Sequence, residues 1–112
     1  MPDKTIGLLQ HMLDVAAFRN RVLTSNIANA DTPGYKAKDI SFQDEMNKAV
    51  SSDGQQEYHI YETATTMPNR DGNTVNVDIE MAKVAENTLL YDTAAQLLTM
   101  KIRQKKSILT AP

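Results

Sequence analysis

The stretch SNIANADTPGYKAKD, from Ser25 to Asp39, contains the point at which a predicted helix gives way to a turn. Thr32 stands before Pro33, and the residue before a proline is disfavoured in the helical region. Pro33 and Gly34 suit the two central positions of a type II turn, which Tyr35 closes. We therefore predict that the helix stops directly before this turn, near residue 31.

The last turns of that helix carry short amides and small side chains. Asn26 and Asn29 are three residues apart, so they share one side of the helix. Ala28 and Ala30 allow a neighbouring backbone to come close. Two interpretations remain open from the residues alone. The stretch is either a capped helix end with solvated amides or a crowded polar contact between subunits.

Apolar residues recur every three or four positions from the beginning of the chain to this point, which is the spacing of one helix face. The predicted packing seam comprises Ile6, Leu9, Leu13, Ala16, Asn20, Leu23, Ile27 and Ala30. A second stripe beside it comprises Leu8, Met12, Val15 and Val22. This apolar surface is wider than one partner helix needs, so we expect the helix to sit in a bundle or to contact several neighbours.

The last third of the chain repeats the pattern. Asn76 or Asp78 can cap a helix that runs to about Leu109. Its predicted seam comprises Met81, Val84, Thr88, Tyr91, Ala95, Leu98 and Ile102. Each long helix would extend roughly 40 Å at about 1.5 Å per residue. Because the two lengths match, we predict an antiparallel pair.

The middle of the chain has too few apolar residues to build a core of its own. Ser41 can cap a short helix, SSDGQQE reads as a solvated loop, and EYHIYE and TVNV can form short strands. The predicted fold is mostly α, with long terminal helices paired as an antiparallel coiled-coil hairpin around this small irregular segment. The predicted boundaries are an N-terminal helix over 1–31, an outer segment over 32–77 and a C-terminal helix over 78–112.

Composition excludes several classes of function. The chain has 112 residues, a formal charge of −2 and no cysteine. Such a balance argues against a strongly basic nucleic-acid binder, and the lack of cysteine excludes disulfides and thiolate metal sites. No stretch approaches the roughly 20 apolar residues of a membrane span, and no Sec-type signal peptide is visible. We therefore expect neither nucleic-acid binding nor membrane insertion.

The residues give no constellation for catalysis. His11 and His59 are far apart and have no Cys or His beside them. The segment PNRDGNTVNVD partly mimics a calcium loop, but Met67 occupies the first ligand position and Asp78 replaces the bidentate glutamate. We predict a plain turn at this point, and no metal site, no cofactor and no catalytic residue.

The segment LTSNIANADTPGYKAKDISF, from Leu23 to Phe42, resembles the N-terminal signature of the flagellar rod and hook proteins. Its KAKDISF continuation and the short chain are similar to the FlgB type of the proximal rod. The segment GNTVNVDIEMAKVAENTLLYDTAAQLL resembles the second helix of that type. The resemblance covers both ends of the chain. The SNIANADTPGY core is shared across the axial family, so a sister rod subunit is the alternative.

The resemblance implies a structural subunit and not an enzyme. Such proteins pass unfolded through the flagellar type III export apparatus, which would explain the missing Sec signal. They polymerise helically into the rod that crosses the periplasm, with their paired terminal helices lining its channel. The implied partners are copies of the chain, other rod proteins and the adaptor that joins the rod to the export gate and ring. A stand-alone helical adaptor that binds one partner by a coiled coil is a second hypothesis.

The resemblance also places the signature at a contact between subunits. The residues assigned to this interface are Asn26, Asn29, Ala30, Thr32, Pro33, Gly34 and Tyr35.

Overall fold

A computed structural model of the chain describes residues 4–51, 57–63 and 67–110. Its elements follow in the order α1 (Lys4–Ala28), β1 (Lys38–Ile40), α2 (Phe42–Ser51), β2 (Ile60–Glu62) and α3 (Val77–Thr110). The molecule is elongated, with extents of 68, 27 and 17 Å. The predicted loop SSDGQQE falls mainly on residues 52–56, which lie outside the described ranges.

The two long helices pair in opposite directions, which confirms the predicted hairpin. Asn26 near the end of α1 bonds to Glu80 in the first turn of α3. Near the beginning of α1, Leu9 lies in the same groove as Leu97 of α3. Residue numbers therefore fall along one helix as they rise along the other.

The expectation of equal helix lengths is wrong. Helix α1 has 25 residues and α3 has 34. At the end of α1, after Ala28, the amide of Asn29 is shared between the Ser25 and the Asn26 carbonyls, each at 3.1 Å. Ala30 then bonds to the Ile27 carbonyl at 3.2 Å, the tighter spacing that closes many helix ends.

The core contains about as many polar residues as apolar ones. Within the described residues, seven apolar side chains are buried: Leu9, Val15, Ala16, Leu23, Ala37, Ile40 and Ala94. Eight polar residues are buried with them: Arg19, Asn26, Asp39, Glu45, Asn73, Thr74, Glu80 and Asn87. Because buried polar groups need partners, hydrogen bonds decide how the elements fit together.

Three buried positions of α3 each lie one residue before a position of the predicted seam. These positions are Glu80, Asn87 and Ala94, seven residues apart. The predicted seam has Met81, Thr88 and Ala95 instead. The predicted seam does not contain Glu80 or Asn87, yet both are buried with hydrogen bonds to α1.

The predicted seam residues accordingly differ in burial. Met81 is 58% exposed, Ile102 is 49% exposed and Tyr91 is 41% exposed, so these three are not packed within the hairpin. Buried or half-buried members are Ile6, Leu9, Leu13, Leu23, Ile27, Val84 and Leu98.

The strand predicted within EYHIYE is present as β2, but the second predicted strand, TVNV, does not form. Strand β2 pairs antiparallel with β1, with Ile40 opposite Ile60. The TVNV segment is a loop that leads into α3, because Thr74 donates its amide to the Tyr35 carbonyl at 3.0 Å. The hydroxyl of Thr74 also accepts the amide of Ala37 at 2.8 Å. These bonds hold TVNV against the turn and away from the sheet.

Two predicted helix caps are confirmed. The amide of Asp44 donates to the Ser41 hydroxyl at 3.2 Å at the start of α2. At the start of α3, the amide of Ile79 donates to the Asn76 side chain at 3.2 Å. Asn76 rather than Asp78 is therefore the cap of the second long helix.

Removal of a buried core side chain should destabilise the fold. Leu23 is fully buried on α1. Leu23→Ala should lower the free energy of unfolding by about 2–5 kcal/mol through lost burial and a cavity. Urea unfolding followed by circular dichroism measures this loss. The control is Leu89→Ala on α3, whose side chain is 67% exposed. It should cost less than about 1 kcal/mol. Equal losses would contradict this core.

Candidate interface at the helix-to-turn junction

Asn26 is the centre of the junction between α1 and the turn. Its side-chain oxygen accepts the Lys38 amide at 3.0 Å and the Tyr35 hydroxyl at 3.2 Å. Its side-chain nitrogen donates to the Lys38 carbonyl at 2.7 Å and to the Glu80 carboxylate. Two donors and two acceptor positions are all that an amide offers, so Asn26 is saturated within its own chain.

The structure corrects one of the two sequence interpretations of Asn26. The residue is fully buried, so it is not a solvated helix cap. Its place at a contact between subunits stays a prediction. Within the chain, Asn26 joins α1 to β1 and to the first turn of α3.

Asn29 makes a local cap. Its side-chain nitrogen donates to the Ser25 carbonyl at 2.8 Å, and its side-chain oxygen accepts the Thr32 hydroxyl at 3.0 Å. The residue is half-buried. Both of its side-chain groups thus have partners close in sequence, and a contact with another protomer would have to compete with them.

The turn after α1 has the predicted geometry. The Tyr35 amide donates to the Thr32 carbonyl at 3.2 Å, and Gly34 has a φ of 75°. A positive φ at the third position is what a type II turn requires and what glycine adopts without strain. Thr32, Pro33 and Gly34 are exposed, while Tyr35 and Ala30 are half-buried. The tip of the turn is therefore accessible to a neighbour.

Asn73 ties the later loop to the end of α1. Its side-chain nitrogen donates to the Asn29 carbonyl at 2.9 Å and to the Thr32 carbonyl at 2.8 Å. Its side-chain oxygen accepts the Val75 amide at 2.7 Å. The residue therefore adds a second bond to each of two carbonyls that already accept backbone amides in the turn after α1. Sequence reasoning missed Asn73, and its place after Gly72 in a turn cluster was the only signal.

Two glycines allow the loops to meet. Gly34 donates its amide to the Asp71 carbonyl at 2.7 Å. A Cβ on Gly72 would lie 3.7 Å from the Gly34 Cα, and Gly72 itself has a φ of 77°. The two backbones therefore approach closely where neither residue carries a side chain. Lys36 adds a bond from its ammonium group to the Gly72 carbonyl.

A buried ion pair lies next to Asn26. Arg19 binds Asp39 through two hydrogen bonds, Nε to Oδ1 at 2.9 Å and Nη2 to Oδ2 at 3.1 Å. Burial lowers the pKa of Arg19, but the hydrogen bond and charge of Asp39 raise it, and the net pKa lies above its ordinary value. Arg19 is therefore charged at any pH at which the protein folds.

Lys83 extends this pair towards α3. Its ammonium nitrogen lies 3.6 Å from Asp39 and 3.6 Å from Glu80. Glu80 in turn bonds to Asn26. The polar core is thus one connected network that runs from α1 through β1 to α3.

The histidines and the turn cluster have structural partners. His11 is half-buried and donates to the Glu45 carbonyl at 3.1 Å. The Asn69 side chain accepts the amides of Asp71 at 2.9 Å and Asn73 at 3.0 Å, which makes a local turn. In the described ranges, no three His, Cys, Asp or Glu side chains gather as a metal site would need. No described helix is long and apolar enough to span a bilayer.

The sequence is similar to known flagellar proteins along most of its length. The model of a family described as "Flagella basal body rod protein" matches residues 15–36, which include the junction. The flagellar basal body rod protein FlgB of Bacillus subtilis is 34% identical over 95% of this chain and 93% of its own length. FlgB of Escherichia coli is 33% identical over 96% of this chain and 94% of its own length. FlgB of Cereibacter sphaeroides is 39% identical over 87% of both chains.

The paired terminal helices and the junction signature define a protein of the flagellar rod class. The extent of the similarity is decisive within that class, and the chain belongs to the FlgB family of flagellar basal body rod proteins.

The two asparagines of the signature should differ in their effect on stability. Asn26→Ala removes four bonds and leaves the Glu80 carboxylate and the Lys38 backbone without these partners. Each buried group left unpaired costs about 1–3 kcal/mol. Asn29→Ala removes a half-buried local cap and should cost about 1 kcal/mol or less. Chemical unfolding of both variants beside the parent measures the difference. Equal and small losses of unfolding free energy in the two variants would show that Asn26 does not hold α1, β1 and α3 together.

Proposed function

We propose that this structural subunit of the flagellar basal body rod polymerises helically within the proximal rod, with copies of itself and with other rod proteins. The observation that carries the proposal is similarity to FlgB proteins over nearly the whole chain. The antiparallel hairpin supports it, because the hairpin would supply the paired inner helices around a central channel. The junction signature would lie where those helices give way to the outer segment.

The surface of α3 favours an assembled state. Large apolar side chains are exposed along it: Met81, Leu89, Leu97, Met100, Ile102, Ile108 and Leu109. Extended apolar surface of this kind marks sites of protein contact in soluble proteins. Neighbouring subunits in a rod would cover it. A head-to-tail contact with a helical offset would propagate as an open filament.

The family supports proposals about the finer points of location and partners. We propose that the chain reaches the periplasm through the flagellar type III export apparatus. Within the rod, its partners would include the adaptor that joins the rod to the export gate and ring. The exposed tip of the signature, Thr32 to Gly34, together with Tyr35, Ala30 and Asn29, is proposed as part of the contact between subunits.

A test of the rod function uses strains that differ only in this chain. Deletion of its gene should abolish intact basal bodies and swimming on soft agar, and the parent gene should restore both. Normal basal bodies in the deletion strain would contradict a rod function.

A point variant tests the hairpin in the same strains. Leu98 is half-buried on α3, and Leu98→Asp would bring a carboxylate into the packed face of the hairpin. We expect few intact basal bodies and little swimming. Gln96→Asp, at an exposed position two residues earlier, should swim normally. Immunoblots of cells and of exported material distinguish a failure of export from a failure of assembly. Normal swimming of Leu98→Asp at parental protein levels would contradict the hairpin as the assembling form.

A further inference from the structure

The sequence contains two Asp-Gly steps, Asp71–Gly72 and Asp53–Gly54, and the structure describes the first. In such a step the glycine nitrogen can attack the aspartate side chain, because glycine has no Cβ to obstruct the approach. The attack joins the nitrogen to Cγ of the protonated carboxyl group. The amide hydrogen and the carboxyl hydroxyl leave together as water, and a five-membered succinimide ring remains.

Hydrolysis of the succinimide has two products. Water that breaks the bond from the nitrogen to Cγ restores aspartate. Water that breaks the bond from the nitrogen to the α-carbonyl carbon yields isoaspartate instead. The main chain then runs through the side chain of the aspartate, which makes it one carbon longer and turns the α-carboxyl group into a free branch. The reaction therefore changes the course of the backbone without a cofactor or an oxidant.

The fold holds the Asp71–Gly72 peptide in a closed turn. The Gly72 amide donates to the Asn69 carbonyl at 2.9 Å, which closes a turn over residues 69–72. No described residue except glycine has a positive φ, so Arg70 and Asp71 have the negative φ values of a type I turn. At Asp71, the third position of that turn, ψ is therefore about 0°.

The succinimide ring cannot close in this turn. The Gly72 nitrogen would have to eclipse Cβ of Asp71, which requires a ψ about 120° away, because the substituents of a tetrahedral carbon are about that far apart around the bond. A rotation of that size breaks the bond from Gly72 to Asn69. It also turns the Asp71 carbonyl away from the Gly34 amide, which donates to it at 2.7 Å. The turn must therefore open before the ring can form.

Further bonds keep the turn closed. The Asp71 amide donates to the Asn69 side chain at 2.9 Å, and the Lys36 ammonium group donates to the Gly72 carbonyl. Asn73, the next residue, donates to two carbonyls just after the end of α1. Asp71 itself is exposed, so water reaches its carboxyl group. The restraint on the reaction is therefore the geometry of the backbone and not burial.

We propose that Asp71–Gly72 is a site of isoaspartate formation, which the closed junction suppresses and which prevents a modified chain from closing the junction. The extra main-chain carbon would lie where the two loops are closest, since a Cβ on Gly72 would already lie 3.7 Å from the Gly34 Cα. The acceptor of the Gly34 amide would become part of a carboxylate branch and change its position. A chain that stays unfolded would thus lose, with time, the ability to fold this junction. The inference does not depend on the proposed rod function.

The test incubates the purified full chain at neutral pH, in buffer and in urea. Cleavage after lysine releases residues 49–83 as one peptide, in which electron-transfer fragmentation distinguishes isoaspartate from aspartate at both Asp-Gly steps. Isoaspartate at Asp71 should form at least tenfold more slowly in buffer than in urea, because the reaction must wait for the turn to open. The Asp53 step in the urea sample provides the reference rate for an unrestrained step. Equal rates at Asp71 in buffer and in urea would overturn the proposal.

A matched pair of variants tests whether the junction suppresses the reaction. Asn73→Ala removes the bonds that hold the turn to the end of α1, and it should raise the rate at Asp71 in buffer at least threefold. Asn20→Ala, at an exposed position eight residues before the end of α1, should leave that rate unchanged. An unchanged rate in folded Asn73→Ala would overturn the proposal. If circular dichroism shows that Asn73→Ala is unfolded, Lys36→Met, which loses the bond to the Gly72 carbonyl, replaces it with the same outcomes.

The effect of the modification on the junction is measured on the modified chain. Chains aged in urea are separated by chromatography, and the form with isoaspartate at residue 71 is returned to buffer beside the unmodified form. Its Thr74 amide should exchange at least tenfold faster, because that amide bonds to the Tyr35 carbonyl across the junction. The amide of Leu23 in the hairpin is the internal control. Equal exchange of the Thr74 amide in the two forms would show that a modified chain still closes the junction, which contradicts the proposal.

Discussion

The arrangement of the whole chain depends on one buried amide. Asn26 binds the amide and the carbonyl of Lys38, the hydroxyl of Tyr35 and the carboxylate of Glu80. The bonds to Lys38 fix where β1 begins, and β1 in turn brings Asp39 to Arg19. The bond to Glu80 fixes the rotation of α3 at its first turn. Without these bonds of Asn26, apolar packing alone would allow α3 to pack on α1 through more than one of its faces.

The network next to Asn26 contributes more to geometry than to stability. Arg19, Asp39, Lys83 and Glu80 form a chain of charges with little exposure. The cost of removing such charges from water offsets most of their attraction, and their main effect in some proteins is to specify one arrangement. We infer the same role here. The polar stripe of α3 is thus held inside the chain, and large apolar side chains beside it, such as Met81 and Ile102, stay exposed.

Local sequence features predicted much of this structure. The helix repeat, the Thr32–Tyr35 turn and the caps at Ser41 and Asn76 all depend on residues within a few positions of one another. Sequence reasoning failed where contacts between residues far apart in the sequence determine the packing. The apolar spacing assigned Met81 to the packed seam, and the bond to Asn26 explains why Glu80 is buried instead. Similarly, Asn73 and the Gly34–Gly72 approach join loops about 40 residues apart, which no local pattern reveals.

The measurement that tests this account most directly is amide hydrogen exchange of the parent chain, resolved by residue. The Lys38 amide bonds to Asn26, and the Thr74 amide bonds to Tyr35, both outside any helix. If the junction is part of the cooperative fold, both amides should exchange as slowly as the amide of Leu23 in the middle of the core. Exchange of Lys38 and Thr74 as fast as that of an amide without a hydrogen bond, while Leu23 stays protected, would contradict it. The α1–α3 hairpin would then fold without the hydrogen bonds of Asn26.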